Sequence, residues 1–189
     1  MSVIDTSEFR KGLKIEIEGE PFVIVDFQHV KPGKGTAFVR TRIKSLTSGN
    51  VLDKTFRSGD KVDSPNLEDR SMQYLYADGD SFLFMDQKTY EQVSIDREAL
   101  GEVVNYLKDE SVARVLFHNG QPIGVEVPTF VELKVKETKP GVRGDTATGG
   151  TKPATMETGV LVQVPLFVEQ GEVIKVDTRD GSYVERVSK

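Results

Sequence analysis

The chain has 189 residues, of which 37% are hydrophobic, a net charge of −5 and no cysteine. Without cysteine there is no disulfide and no thiol chemistry, which fits a reducing compartment. The start MSVIDTSEFRKG lacks the apolar core of a signal peptide, and no apolar run approaches the ~20 residues needed to span a bilayer, so a cytoplasmic protein is expected. Charge is uneven: residues 1–64 carry net +2, residues 65–128 net −7 and residues 129–189 zero.

In chain order, LKIEIE (13–18) alternates Leu13, Ile15 and Ile17 with charged residues, the period of a half-buried strand. The next segment, HVKPGKGTAFVR (29–40), puts Lys34 between Gly33 and Gly35, just after Pro32. Proline fixes φ and glycine allows unusual backbone angles, so the lysine can project from a sharp hairpin tip. From His29 to Lys44 there are five basic residues (Lys31, Lys34, Arg40, Arg42 and Lys44) and no acid. An acidic protein with one basic finger aims a single element at a polyanion; a non-specific nucleic-acid coater would spread its cations. The competing reading is a solvated basic face.

Residues 59–70, GDKVDSPNLEDR, are polar and aperiodic and read as a seam. In DREALGEVVNYLKDE (96–110), Leu100, Val103, Val104 and Leu107 follow helical spacing, and Asp96 is the candidate N-cap. This predicts one short helix in the middle of the chain. A second seam is VEVPTF (125–130), with Pro128 between two strand patterns. FVELKVKE (130–137), VLVQVPL (160–166) and VIKV (173–176) alternate as strands, and the Gly/Thr/Lys-rich stretch 139–159 reads as a loop. Asp78-Gly79, Asn119-Gly120 and Asp180-Gly181 read as tight hairpin turns. Cutting at the seams leaves three pieces: 1–64, 65–128 and 129–189. The fold class is all-β, and small closed barrels suit pieces of this size because closure removes exposed edges.

Sites of enzymatic chemistry are not found. A Walker loop needs a glycine where Gln28 stands and Ser or Thr where Gly35 stands. With His29 and His118 far apart in sequence and no cysteine, no metal ligand set emerges. His118, at a strand end before Asn119-Gly120, reads as structural.

The tip VKPGKG and the stretch KPATMETGVLVQVPLFVEQGEVIKVDTRDGSYVER (152–186) resemble the bacterial elongation factor P family. In the second stretch Lys, Ala, Gly, Val-Pro and Gly fall at the spacing of the family signature. KTFRSGDKV (54–62), YLYADGD (74–80) and NGQPIGVEVP (119–128) are similar too, so the resemblance covers essentially the whole chain. It implies a KOW-like N-terminal barrel followed by two OB-folds. A monomer without cofactor or metal is expected, and the resemblance implies binding to the ribosome between the sites of peptidyl-tRNA and exiting tRNA. There it would relieve stalling at consecutive prolines. Lys34 would carry β-lysylation or another lysine extension, added by a lysine-modifying enzyme. Pro32, Gly33 and Gly35 would set the tip beside the P-site tRNA, while Lys31, Arg40, Arg42 and Lys44 contact tRNA or ribosome. Gly144, Asp145 and Thr148 match a loop that approaches the E-site codon. The alternative is a single-stranded nucleic-acid-binding OB protein, which needs aromatic platforms on a basic groove. Tyr74, Tyr76, Phe82 and Phe84 instead lie in the piece of net −7. A paralogue without the usual activity is a third reading, against which the family tip and signature argue.

Overall fold

A computed structural model describes residues 2–141 and 149–188. The architecture is all-β, in three curled sheets. The first holds β1 (Val3–Asp5), β2 (Lys14–Ile17), β3 (Glu20–Val30), β4 (Phe38–Ser45), β5 (Val51–Arg57) and β6 (Lys61–Asp63), in the order β1-β6-β2-β3-β4-β5. The second holds β7 (Leu67–Asp78), β8 (Ser81–Asp86), β9 (Gln92–Asp96), β10 (Val112–His118) and β11 (Gln121–Glu126), in the order β11-β10-β7-β8-β9. The third holds β12 (Phe130–Thr138), β13 (Thr151–Met156), β14 (Leu161–Pro165), β15 (Val173–Asp177) and β16 (Ser182–Ser188), in the order β14-β13-β12-β15-β16. Packing groups the chain into two compact units, Met1–Asp69 with Leu116–Gly124, and Arg70–Val115 with Val125–Lys189.

The period-two pattern sets the cores. Ile15, Ile24, Val39 and Ile43 are almost fully buried in the first sheet, where Phe9 meets Phe56 edge-to-face at 5.3 Å. Each such side chain contributes roughly 1.5–3 kcal/mol by leaving water. In the second unit, Leu133, Val135, Met156, Val164 and Ile174 form a core that also takes Tyr106.

Four local features depart from expectation. The helical segment is a single α turn, α1 (Arg97–Leu100), followed by a 3₁₀ helix over Gly101–Tyr106. Gly101, at φ 54, ends the α turn, and Asp96 occupies the N-cap position without a side-chain hydrogen bond. Of the spaced residues Leu100 and Leu107 are buried and Val103 and Val104 half-buried, and Tyr106, outside that spacing, is buried with them.

The polar seam 59–70 contains β6 and the start of β7, which leaves only residues 64–66 between strands. Three-residue strands such as β6 are too short for periodicity to show. Within 139–159, residues 151–156 form β13, with Lys152, Ala154 and Met156 buried. Loop-like composition hid this strand, because one of its inward side chains is a lysine.

The turns differ in type. Asn119 (φ 49) and Gly120 (φ 79) form the expected turn with both central residues positive. The first hairpin of the second sheet turns instead on Gly79-Asp80, because Asp78 pairs with Ser81 and only Gly79 has positive φ. Asp180-Gly181 sits in a four-residue loop, since Asp177 pairs with Ser182.

Candidate nucleic-acid interface

The β3–β4 hairpin is built so that its tip stands clear of the core. Its ladder runs from Phe22↔Ser45 to Val30↔Phe38, and residues 31–37 bridge the end. Lys31, Gly33, Lys34, Gly35 and Thr36 are exposed, and Pro32 is half-buried. Among the described residues no turn hydrogen bond closes 31–36. Gly35 has φ 109, which a side chain resists, and the Cβ it lacks would lie 3.9 Å from the Pro32 ring. Gly33 has no positive φ, so the unusual backbone is confined to one side of Lys34.

Below the tip, β4 alternates strictly. Val39, Thr41, Ile43 and Ser45 are buried, while Arg40, Arg42 and Lys44 face out. Strand rise puts these cations about 7 Å apart. A bulge at Val25 keeps the β3 register in phase, so Asp26 lies opposite Arg42 and Gln28 opposite Arg40. On the other side β5 offers Asp53 to Arg42 and Thr55 to Arg40. A shallow groove of about 470 Å³ runs between these side chains.

The three outward cations are therefore not equivalent. Arg42 Nε donates to Asp53 Oδ1 at 3.0 Å, and that carboxylate holds the guanidinium charged even more firmly than usual. Asp26 is paired with Lys11 at 3.0 Å, which pulls its carboxyl below the ordinary range. Arg40 faces only uncharged partners across the strands and lies over the Phe38 ring at 5.7 Å. A stretch without acids in sequence thus has acids in space, supplied by neighbouring strands. Asp26, Asp53 and Lys11 were missed by sequence reasoning because strand register is not written in the linear order.

Comparison with known proteins decides what this arrangement belongs to. Residues 5–62 match the Elongation factor P (EF-P) KOW-like domain, residues 67–125 the Elongation factor P (EF-P) OB domain, and residues 131–186 Elongation factor P, C-terminal. Elongation factor P of Campylobacter jejuni is 56% identical over 189 residues, covering both chains completely. That of Moorella thermoacetica is 54% identical over 184 residues, 97% of this chain and all of the relative.

The chain belongs to the elongation factor P family.

Among solved structures, the eukaryotic translation initiation factor 5A from Methanococcus jannaschii aligns with a TM-score of 0.55 at 25% identity. The alignment covers 64% of this chain and 90% of that one. Membership makes this chain one of a family of translation elongation factors rather than of enzymes, and the KOW-like and OB assignments agree with the three sheets. Among the described residues no group of three or more acidic or histidine side chains could hold a metal ion. No helix there is long and apolar enough to cross a membrane.

The strand-coating alternative loses its platforms. Tyr74, Phe82 and Phe84 are 6%, 5% and 0% exposed, packed on one another at ring distances of 5.9 and 5.5 Å. Only Tyr76 of the four faces solvent. His118 Nε2 meets Glu16 Oε2 at 2.8 Å with both side chains mostly covered, which fastens the β10–β11 turn to β2 and suits the structural role expected of it. Gly144, Asp145 and Thr148 lie outside the described residues.

Proposed function

We propose that this protein binds the ribosome between the peptidyl and exit sites and speeds peptide-bond formation at consecutive prolines by holding the P-site tRNA. The observation that carries the reading is the tip: Lys34 stands exposed on a long hairpin, beyond the last ladder pair, in a chain that belongs to the elongation factor P family. Proline is a poor acceptor because its ring fixes φ and its nitrogen is hindered. Stalling of this kind responds to positioning, and well-oriented reactants recover up to ~7–11 kcal/mol of barrier. A protein that orders the end of a tRNA needs no acid, base or metal of its own.

In this mechanism Lys34 carries a lysine extension, β-lysylation or a related group, added by a lysine-directed enzyme in the cytoplasm. Gly35 and Pro32 shape the tip that presents it. Arg40, Lys31 and Lys44 contact phosphate and sugar, and Arg42, paired with Asp53, orients the face. Gly144, Asp145 and Thr148 would serve the codon contact. The test is a poly-proline reporter in cells lacking the native factor, together with peptide mass mapping of protein from its own cell. Extra mass on Lys34 and loss of rescue by Lys34→Arg are expected, because the planar guanidinium is no substrate for a lysine-directed enzyme. Full rescue by Lys34→Arg would sink the modified-lysine mechanism. Absence of rescue by the wild-type protein would sink the function.

A further inference from the structure

We infer that the first sheet carries a second cationic track, centred on Arg10 and Lys14, that takes an RNA phosphodiester backbone beside the one faced by β4. This rests on the ribosome-binding reading above and extends it to residues outside the hairpin.

Strand register places Lys14. Lys14 on β2 pairs with Val23 on β3, and Val23 pairs with Lys44 on β4. Partners opposite one another share a face, and the adjacent row Ile15, Phe22 and Ser45 is buried. Lys14 therefore emerges on the face of Lys44, Arg42 and Arg40, two strand spacings or about 10 Å from Lys44.

The turn preceding β2 adds two more cations. Gly12, at φ 82, donates its N–H to the Ile24 carbonyl at 2.8 Å, and Leu13 N–H donates to the Arg10 carbonyl at 3.2 Å. These bonds pin Arg10 and Lys11 beside the bulged part of β3. Lys11 then reaches Asp26, the residue opposite Arg42, so the turn and the hairpin face are linked through one ion pair.

Arg10, Lys11 and Lys14 line an open groove of about 480 Å³ together with Ser64, Pro65 and Asp69. Among the described residues neither Arg10 nor Lys14 has an ion-pair partner. Lys14, two strands from Lys44, with Arg10 lining the same groove from the adjoining turn, extends the β4 row and fits a partner whose negative charges repeat regularly. RNA backbone has that property, whereas carboxylates on an acidic protein surface carry no fixed period.

The experiment measures equilibrium binding to 70S ribosomes holding P-site tRNA across a salt series. Wild type is compared with Arg10→Gln/Lys14→Gln and with Arg40→Gln, after melting curves show each variant folded. Each lost phosphate contact should lower the slope of log affinity against log salt by about 0.7–0.9, so the double variant should lose up to about two. An unchanged slope in the double variant, with a flattened one in Arg40→Gln, overturns the second track and leaves the proposed function standing. Unchanged slopes in both overturn the second track and the phosphate contact assigned to Arg40, and the poly-proline reporter alone decides the function. An equal loss of binding to poly-glutamate would mark an unselective anion patch and overturn the assignment to RNA.

Discussion

Two hairpins of this protein end in an exposed lysine, and they are built in opposite ways. Lys88 sits at the β8–β9 tip, where the buried Asp86 carboxylate accepts from the N–H groups of Lys88 at 2.7 Å and Thr89 at 3.1 Å. Asp86 N–H donates to the Glu91 carbonyl, and Tyr90 N–H to the Asp86 carbonyl, so that tip is braced from within. Lys34 sits at a tip without such bonds, shaped by Pro32 and Gly35. A braced tip satisfies its own polar groups and needs nothing outside itself. The Lys34 tip leaves its backbone polar groups to solvent or to a partner, which is what a contact element requires.

The strongest way to break the comparison is to remove each lysine. Lys34→Ala should abolish poly-proline rescue, and Lys88→Ala should leave it intact. Both should melt close to wild type, since exposed substitutions usually shift stability within about ±0.5 kcal/mol. Equal loss of rescue in the two would mean that neither tip is special.

Next in size is the brace itself. Asp86→Ala leaves two tip N–H groups without their acceptor and should lower the melting temperature clearly, whereas Thr36→Ala at the other tip should not. A calorimetric scan of both variants reads this directly.

The brace also has a pH signature. The N–H groups of Lys88 and Thr89 hold the Asp86 carboxyl below its usual 3.8. A depressed folded value contributes stability that is present above 3.8 and is lost as pH falls through the lower folded value. The gap in melting temperature between wild type and Asp86→Asn should therefore narrow below that pH. A gap that stays constant to pH 2 would show that the carboxylate charge plays no part.

The smallest effect separates the two glycines around Lys34. Gly35→Ala forces a side chain to φ 109 and should cost roughly 1 kcal/mol in denaturant titration. Gly33→Ala, with no positive φ and open space around it, should stay near zero. Equal costs would mean that Gly35 does not hold a positive φ in solution.

Much of this was legible in the residues. Alternation in 13–18, 130–137, 160–166 and 173–176 marked strands whose inward residues, among them Ile15, Leu133, Val164 and Ile174, are buried. The Gly-Lys-Gly tip was visible for the same kind of reason: proline and glycine act on the dihedrals of their own neighbourhood. Strand β13 escaped because an inward lysine, Lys152, breaks the apolar period; its ammonium donates to the Lys139 carbonyl at 2.8 Å. The turn at Glu18 (φ 53) and Gly19 (φ 80) escaped because glutamate is not a residue that announces positive φ.

By itself the sequence determined the all-β class, the strand faces, the exposed Lys34 tip and the family, since these rest on local dihedral preference, periodicity or residue identity. Only the tertiary structure decided which cations stay unpaired. Arg42 and Arg40 look alike along β4, yet Asp53 stands beside the first and Thr55 beside the second. The partner across a strand comes from another strand, and the β4–β5 register, fixed by the buried rows, selects it.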